Sequence, residues 1–351
     1  MASPLSIQSM IWVKGREILS FWIEDSFRAF RQRQVMRSSA TMRGVTALLG
    51  LAGVMSMMAC TPVPASFPPP SAQVGSQART VSAAPAFAPP VAPPTGLLPS
   101  KPVPSISSKA AIVMDGVTGR ILAAKNPDER RAVASTQKVL TALVTLDSGP
   151  LSDPVTVEQA DTQVEPSKVY IRAGETYTRA ALLKALMVKS GNDVAKALAR
   201  DVAGSESAFM ARMNAKAASL GMRNSLFMNP HGLTEEGQYS TARDIAILGR
   251  EAYQSAVMRG FVRTRSYTFT RPSGDTKTLS NTNQLLQRLD YCTGMKTGTT
   301  RASGRCLIST GELNGRVVVI VVLGASSEPV LYQDSENLMR WSLERDGMAS
   351  N

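Results

Sequence analysis

The sequence predicts an α+β fold, an antiparallel sheet covered by helices, and three observations carry that expectation. Short apolar runs rich in strand-forming residues gather at both ends of the folded region, at residues 110–114 and 120–124 and again at 305–310 and 316–323. Between them, residues 135–147, 180–189, 192–202 and 205–220 space their apolar side chains as helices do. Turn cues join the strand pairs: Asp115-Gly116-Val117-Thr118-Gly119 in the first and Glu312-Leu313-Asn314-Gly315 in the last. Strands and helices segregated along a chain indicate α+β rather than a repeating βα pattern.

The chain has 351 residues, 43% of them hydrophobic, enough for one sizeable core with appendages. Residues 1–59 form an N-terminal extension and signal region. Their first 35 residues hold Phe27-Arg28-Ala29-Phe30-Arg31, either a basic amphipathic segment or an upstream extension of the reading frame, with Met36 and Met42 as alternative starts. From Met42-Arg43 a basic start leads into an apolar run ending Ser56-Met57-Met58-Ala59-Cys60. That run is short for a membrane span and fits the apolar core of an export signal. A small residue directly before Cys60 is similar to the lipobox of bacterial lipoproteins, which implies lipidation of Cys60 and a membrane anchor; ordinary signal cleavage or an uncleaved anchor are the alternatives. Thr61 lacks the aspartate that retains lipoproteins at the inner membrane, so the outer membrane is favoured. The expectation is an exported protein on the periplasmic side of a bacterial membrane.

Residues 60–107 read as a linker. Residues 61–104 hold 13 of the 21 prolines, interleaved with alanine, serine and valine, and such a composition cannot build a core. As polyproline II this tether would reach roughly 130 Å, and as a coil roughly 40 Å. The catalytic domain is expected over residues 108–351. The net charge of +12 is spread out: seven basic and three acidic groups in residues 1–59, two basic and none acidic in 60–107, and 30 against 24 beyond. Basicity this diffuse argues against a nucleic-acid partner and suits an anionic polymer or a merely solvated surface.

Residues 135–147 should form the first helix, with Ser135 and Lys138 three apart on one face. Serine needs a base to become a nucleophile, and a lysine held among apolar groups loses preference for its charged form and can serve. The only histidine, His231, lies in the turn Asn229-Pro230-His231-Gly232-Leu233 and reads as a loop residue held by hydrogen bonds. A Ser-x-x-Lys pair alone arises by chance about once in a chain this long. Two further motifs follow it: Ser190-Gly191-Asn192 breaks a helical stretch so that its side chains face a cleft, and Lys296-Thr297-Gly298 opens a strand. Ser335-Glu336-Asn337 also matches Ser-x-Asn but reads as the polar face of a C-terminal helix over residues 333–345.

Other elements fill the gaps. Phe209, Met210, Met213 and Ala217 are spaced as a buried stripe. Thr241 should cap a helix with Asp244 as partner in a variant capping box. Residues 266–279 alternate as a hairpin around Pro272-Ser273-Gly274-Asp275. Cys292 and Cys306 flank the Lys-Thr-Gly strand and could form a disulfide across a hairpin in an oxidising compartment.

The three motifs in this order resemble the penicillin-recognising serine enzymes. The stretches Ser190-Gly191-Asn192-Asp193, Asn229-Pro230-His231-Gly232-Leu233, Ser240-Thr241-Ala242-Arg243-Asp244 and Met295-Lys296-Thr297-Gly298-Thr299-Thr300 narrow the resemblance to the low-molecular-mass D-alanyl-D-alanine carboxypeptidases, peptidase family S11. It covers roughly residues 108–345 and implies the serine β-lactamase and penicillin-binding-protein transpeptidase fold. Many relatives continue into a β-rich domain and an anchor helix; here the lipidated N-terminus is expected to replace that anchor.

The resemblance also implies roles. Ser135 is the nucleophile, Lys138 its base and Ser190 the proton relay. Asn192 binds the substrate's amide side chain, Lys296 supplies positive charge beside Ser190 and the terminal carboxylate, which the Thr297 hydroxyl can also bond, and Gly298 and Thr299 complete the substrate-binding segment. The N–H groups of Ser135 and Thr299 form the oxyanion hole. The implied partners are peptidoglycan stem peptides ending in D-Ala-D-Ala and β-lactam antibiotics as covalent inhibitors, with no metal and no cofactor. Relatives often place an arginine after the last strand; Ala325-Ser326-Ser327-Glu328-Pro329 has none, so carboxylate recognition is expected to be weaker or differently supplied. The same residues would serve a DD-endopeptidase cutting cross-links. A β-lactamase is disfavoured by the lack of an E-x-x-L-N loop, and a non-catalytic wall-binding lipoprotein by the intact motifs.

Overall fold

The computed structural model describes residues 101–344. The signal region, Cys60 and most of the linker lie outside the described residues. Strand β1 (Ala110–Asp115) and β2 (Ile121–Lys125) open the fold, followed by a 3-10 turn at Ala134–Gln137 and helix α1 (Lys138–Leu146). Then come β3 (Pro154–Thr156), α2 (Gln159–Thr162), β4 (Thr176–Thr178), α3 (Arg179–Lys189), α4 (Asn192–Ala203) and α5 (Glu206–Ser219). After the 229–233 turn lie α6 (Ala242–Gln254), α7 (Ala256–Val262), the hairpin β5 (Ser266–Thr270) and β6 (Thr276–Ser280), and the short α8 (Leu285–Arg288). Strands β7 (Cys292–Thr300), β8 (Gly304–Leu313) and β9 (Arg316–Ala325) and helix α9 (Glu328–Leu343) close it.

The main sheet has the order β2-β1-β9-β8-β7, every pair antiparallel. The chain's first and last strands are thereby neighbours, which is why the apolar runs sit at both ends of the sequence. Strand side chains alternate faces, and both faces are covered. Ile112, Met114, Val319, Val321 and Ile308 pack with α1 and α3–α6, while Ala111, Val113, Val318, Ile320 and Leu307 pack with α8 and α9. Burial on both faces explains the unbroken apolar run of β9, where a one-sided strand would alternate with polar residues. Glycine permits two close approaches: a Cβ at Gly249 would lie 2.9 Å from Val319, and one at Gly311 2.8 Å from Leu343.

The expected fold class stands, and several local expectations change. Helix α9 begins at Glu328, five residues before the expected start, because Ser327 caps it by accepting from the Val330 N–H and Pro329 is tolerated in the first turn. Ser335 is fully buried rather than on a polar face; its hydroxyl donates to the Leu331 carbonyl one turn back and so needs no water. Thr241 caps α6 as expected, but the Asp244 carboxylate accepts from Asn224 N–H and Ser225 Oγ instead of closing the box.

Cys292 and Cys306 are both free and buried. The register sets Cys306 opposite Gly298 and Cys292 opposite Gly311, five residues farther along β8, roughly 17 Å at the strand rise. A disulfide needs Cα atoms within about 7 Å, so the pairing suggested by sequence proximity is excluded by register.

Candidate active site

Strand β7 is one edge of the sheet, opposite the β2 edge, and its Lys296-Thr297-Gly298 segment runs against the 3-10 turn that carries Ser135. A Cβ at Gly298 would lie 2.7 Å from Ser135 N and 2.9 Å from Thr136 N, so only glycine lets strand and turn meet this closely. The turn is tighter than the expected α-helix. In a 3-10 turn residues i and i+3 eclipse, which stacks Lys138 directly under Ser135. The Lys138 Nζ to Ser135 Oγ distance is 2.8 Å.

Lys138 is wholly buried. Besides Ser135, its Nζ meets the Asn192 Oδ1 at 2.7 Å and the His231 backbone carbonyl. Asn192 is oriented by its own Nδ2, which donates to the Glu165 carbonyl at 2.9 Å, so oxygen faces the lysine. Both of these partners can only accept. A neutral amine has two N–H donors and one lone pair, so the two oxygens take the donors and the lone pair points to the serine hydroxyl. Burial above all, and then the positive charge of Lys296, push the Lys138 pKa well below its ordinary value, against a smaller opposing pull from Asp193. Lys296 is also fully buried, donates to the Thr297 carbonyl at 3.0 Å, and is pushed down to about 7 by burial.

Ser190 caps α3 in a left-handed conformation, φ 67°, and lines the cleft beside Ser135 and Asn192. The expected substrate-amide role of Asn192 is joined by a structural one, since its oxygen holds Lys138. Asp193, next in sequence, is 1% exposed and accepts from the N–H groups of Val169, Tyr170 and Ile171, which ties the Ser-Gly-Asn turn to the facing loop.

The His231 ring is not a base for Ser135. Its Nδ1 accepts from the Leu233 N–H, and burial plus the nearby Lys138 and Lys196 push its pKa down to about 3. The contribution of the turn is its backbone. Asn229 Oδ1 accepts from Gly232 N–H at 2.7 Å, Gln137 donates to the Asn229 carbonyl and Thr141 to the Pro230 carbonyl. Gly232 passes so near Ala134 that a Cβ there would sit 2.2 Å from its carbonyl oxygen. These bonds aim the His231 carbonyl at Lys138, a role invisible in the side-chain pattern.

The cleft encloses about 410 Å³ and runs from Ser135 past Thr297, Gly298 and Thr299 to Arg305 and Glu328. Thr297 Oγ1 donates to Thr282 Oγ1 at 2.6 Å. Sequence reasoning missed Arg305. It lies on β8 opposite Thr299, and its Nη1 is 3.2 Å from the Glu328 carboxylate, which also accepts from Gln284. The cleft therefore does contain an arginine, delivered by the neighbouring strand rather than by the segment after β9. Among the described residues no cluster of side chains suits a metal ion.

The family profile described as D-alanyl-D-alanine carboxypeptidase (Peptidase_S11) matches residues 98–327. The D-alanyl-D-alanine carboxypeptidase DacF of Bacillus subtilis is 36% identical over 226 residues, 63% of this chain and 58% of the relative. A D-alanyl-D-alanine endopeptidase of Escherichia coli is 33% identical over 261 residues, 73% of this chain and 83% of the relative. The chain thus spans about three fifths of DacF and of E. coli DacC, at 58% and 62% of their lengths. Among solved structures, a D-alanyl-D-alanine carboxypeptidase from Mycobacterium tuberculosis superposes with TM-score 0.67 at 32% identity, covering 73% of this chain and 98% of that one. The Streptomyces K15 DD-transpeptidase superposes with TM-score 0.66 at 29% identity, covering 69% and 99%.

The two lysines predict a bell-shaped pH profile for acylation of Ser135 by a fluorescent penicillin, itself a carboxylate. The rate climbs as Lys138, held well below its ordinary value by burial, sheds its proton, and falls above pH about 7 as Lys296 loses its charge. Stopped-flow labelling from about pH 5 to about pH 10 measures it; a profile still rising well above 7 contradicts the role of Lys296.

Proposed function

The chain belongs to the Peptidase_S11 family of D-alanyl-D-alanine carboxypeptidases, and from that membership we propose that it is a serine DD-peptidase acting on peptidoglycan stem peptides that end in D-Ala-D-Ala. The observation that carries the reading is the buried Lys138 amine 2.8 Å from Ser135 Oγ with two acceptor oxygens on its remaining valences. Ser135 Oγ attacks the carbonyl between the two D-alanines while the Lys138 lone pair takes its proton. The oxyanion that forms is met by the N–H groups of Ser135 and Thr299. Ser190 passes a proton to the departing nitrogen, D-alanine leaves, and an ester remains on Ser135. Water, deprotonated by the same amine, attacks the ester and frees the shortened peptide. Lys296, the Thr297 hydroxyl and Arg305 bind the terminal carboxylate, and the free edge of β7 around Gly298 pairs with the extended peptide backbone. β-Lactams acylate the same serine.

A second reading, DD-endopeptidase, is favoured by one feature of the cleft. It continues beyond Thr297 to Arg305 and Glu328, leaving space past a single terminal residue and a charge of each sign to receive more of a leaving peptide. Export to the periplasm and lipidation at Cys60 are supported by the apolar run before Cys60 and the proline-rich tether after it, and outer-membrane anchoring by Thr61 standing where an aspartate would retain the lipoprotein at the inner membrane.

Digestion of purified muropeptides tests the activity. Free D-alanine from pentapeptides marks the carboxypeptidase, dimer-to-monomer conversion the endopeptidase, and Ser135→Ala abolishes either; persistence of cleavage in that variant would overturn the assignment. Arg305→Ala should lower kcat/KM for carboxylate-terminated peptides about tenfold or more, because it removes a charged donor and leaves Glu328 facing the carboxylate. A C-terminally amidated peptide analogue should be affected far less. Equal losses on both would remove Arg305 from carboxylate recognition.

A further inference from the structure

A second cavity of about 400 Å³ lies beside the catalytic cleft, lined by Lys168, Tyr170, Arg172 and Arg271 together with Asp193. The two cavities share a wall. Pro166 and Ser167 line the catalytic cleft, and the residues that follow them line the second cavity. Asn192 likewise faces the first and Asp193 the second, with Asn192 N–H donating to the Ser167 carbonyl at 2.7 Å.

The electrostatics of this cavity are lopsided. Asp193 brings the one carboxylate of the lining, and its oxygens are already occupied by backbone N–H groups of Val169, Tyr170, Ile171 and Val194. Arg271 is matched by Glu175 at 3.0 Å. Lys168 donates only to a neutral carbonyl, that of Thr162, at 3.0 Å. Arg172 is exposed, with no carboxylate partner for its guanidinium among the described residues. Two cations are thus left without a counter-charge at the mouth of a concave site. Tyr170 stands at its rim, 57% exposed, with Lys277 over its ring at 4.8 Å. Its φ of 68° lies in the left-handed region that non-glycine residues seldom adopt, and the Asp193 carboxylate holds it there by accepting from its N–H. Tyr170 thus stands on the same rim as Lys168 and Arg172.

The geometry points to a second subsite in which Lys168 and Arg172 bind carboxylates of the stem peptide upstream of the bond to be cut. The proposal rests on the DD-peptidase reading and deepens it. A wall peptide lying along β7 would extend past the shared wall at 166–167, and an anionic stretch there would meet the two free cations while its apolar parts lie on Tyr170. Lys168 and Arg172 touch neither Ser135 nor Lys138, so they set which peptide is preferred and leave the chemistry alone.

The test compares two pentapeptides ending in D-Ala-D-Ala, one with free upstream carboxylates and one with those groups converted to carboxamides, on wild type and on the Lys168→Ala/Arg172→Ala double variant. The expected result is a KM for the free-carboxylate peptide raised about tenfold with kcat unchanged, while the carboxamide peptide and penicillin acylation shift by less than about twofold. Added salt should bring the wild-type KM toward that of the variant. Equal loss on both peptides, or no change on the first, overturns the proposal. Titrating both peptides into Ser135→Ala protein decides it without turnover. A preference for the free carboxylates that the double substitution erases supports the subsite, and equal affinity for the two peptides refutes it. Failure of the DD-peptidase reading would register separately, as absence of cleavage by the wild type whatever the binding preference.

Discussion

The site depends on one lysine amine sealed from water between two carbonyl-type oxygens and a serine hydroxyl. An ammonium group there would lose its hydration and stand near a second cation, and the neutral form suffers neither penalty. Each surrounding element contributes to keeping it so. Helix α4 brings the Asn192 oxygen, the 229–233 turn brings the His231 carbonyl, and the 3-10 turn drops Ser135 onto the remaining lone pair. Removing any of them would leave the amine either free to rotate or free to protonate.

The second buried lysine divides the labour. Two like charges in one dry pocket repel, so the pair favours one neutral and one charged member over much of the pH range. Lys138 meets both acceptors and is held well below its ordinary value; Lys296 sits on the substrate-facing strand and keeps its proton up to about 7. Base and anion anchor are thus the same functional group in two environments. The close passage at Gly298 joins them, since a side chain there would separate strand β7 from the serine turn.

Much of this was legible in the sequence because its signals are side chains at fixed spacings. Ser135, Lys138, Ser190, Asn192 and Lys296-Thr297-Gly298 could be picked out, and the strands and helices that carry them followed from apolar periodicity. What escaped was information held in backbone and register. A turn and a helix share the same i, i+3 pairing in one dimension, so the 3-10 geometry at Ser135 left no separate trace. The part played by His231 comes from its carbonyl, which every residue possesses. Arg305 follows the Lys-Thr-Gly motif by only a few residues, but its place in the cleft depends on β8 pairing back across β7. The same register that brings Arg305 in keeps Cys292 and Cys306 apart, so one topological fact accounts for a missed residue and a mistaken pairing. A pattern of residues 5 to 15 apart was too coarse to locate either (roughly a strand length, over which register can slip).

The state of the Lys138 amine at neutral pH is the most direct point of attack. Nuclear magnetic resonance of protein labelled at lysine Cε, with the Lys138 signal assigned by its loss in Lys138→Arg, follows protonation at that one nitrogen. The account predicts that the signal passes from the ammonium to the neutral-amine position well below the ordinary lysine range. An ammonium signal that persists until pH about 10, the ordinary range for lysine, would contradict it.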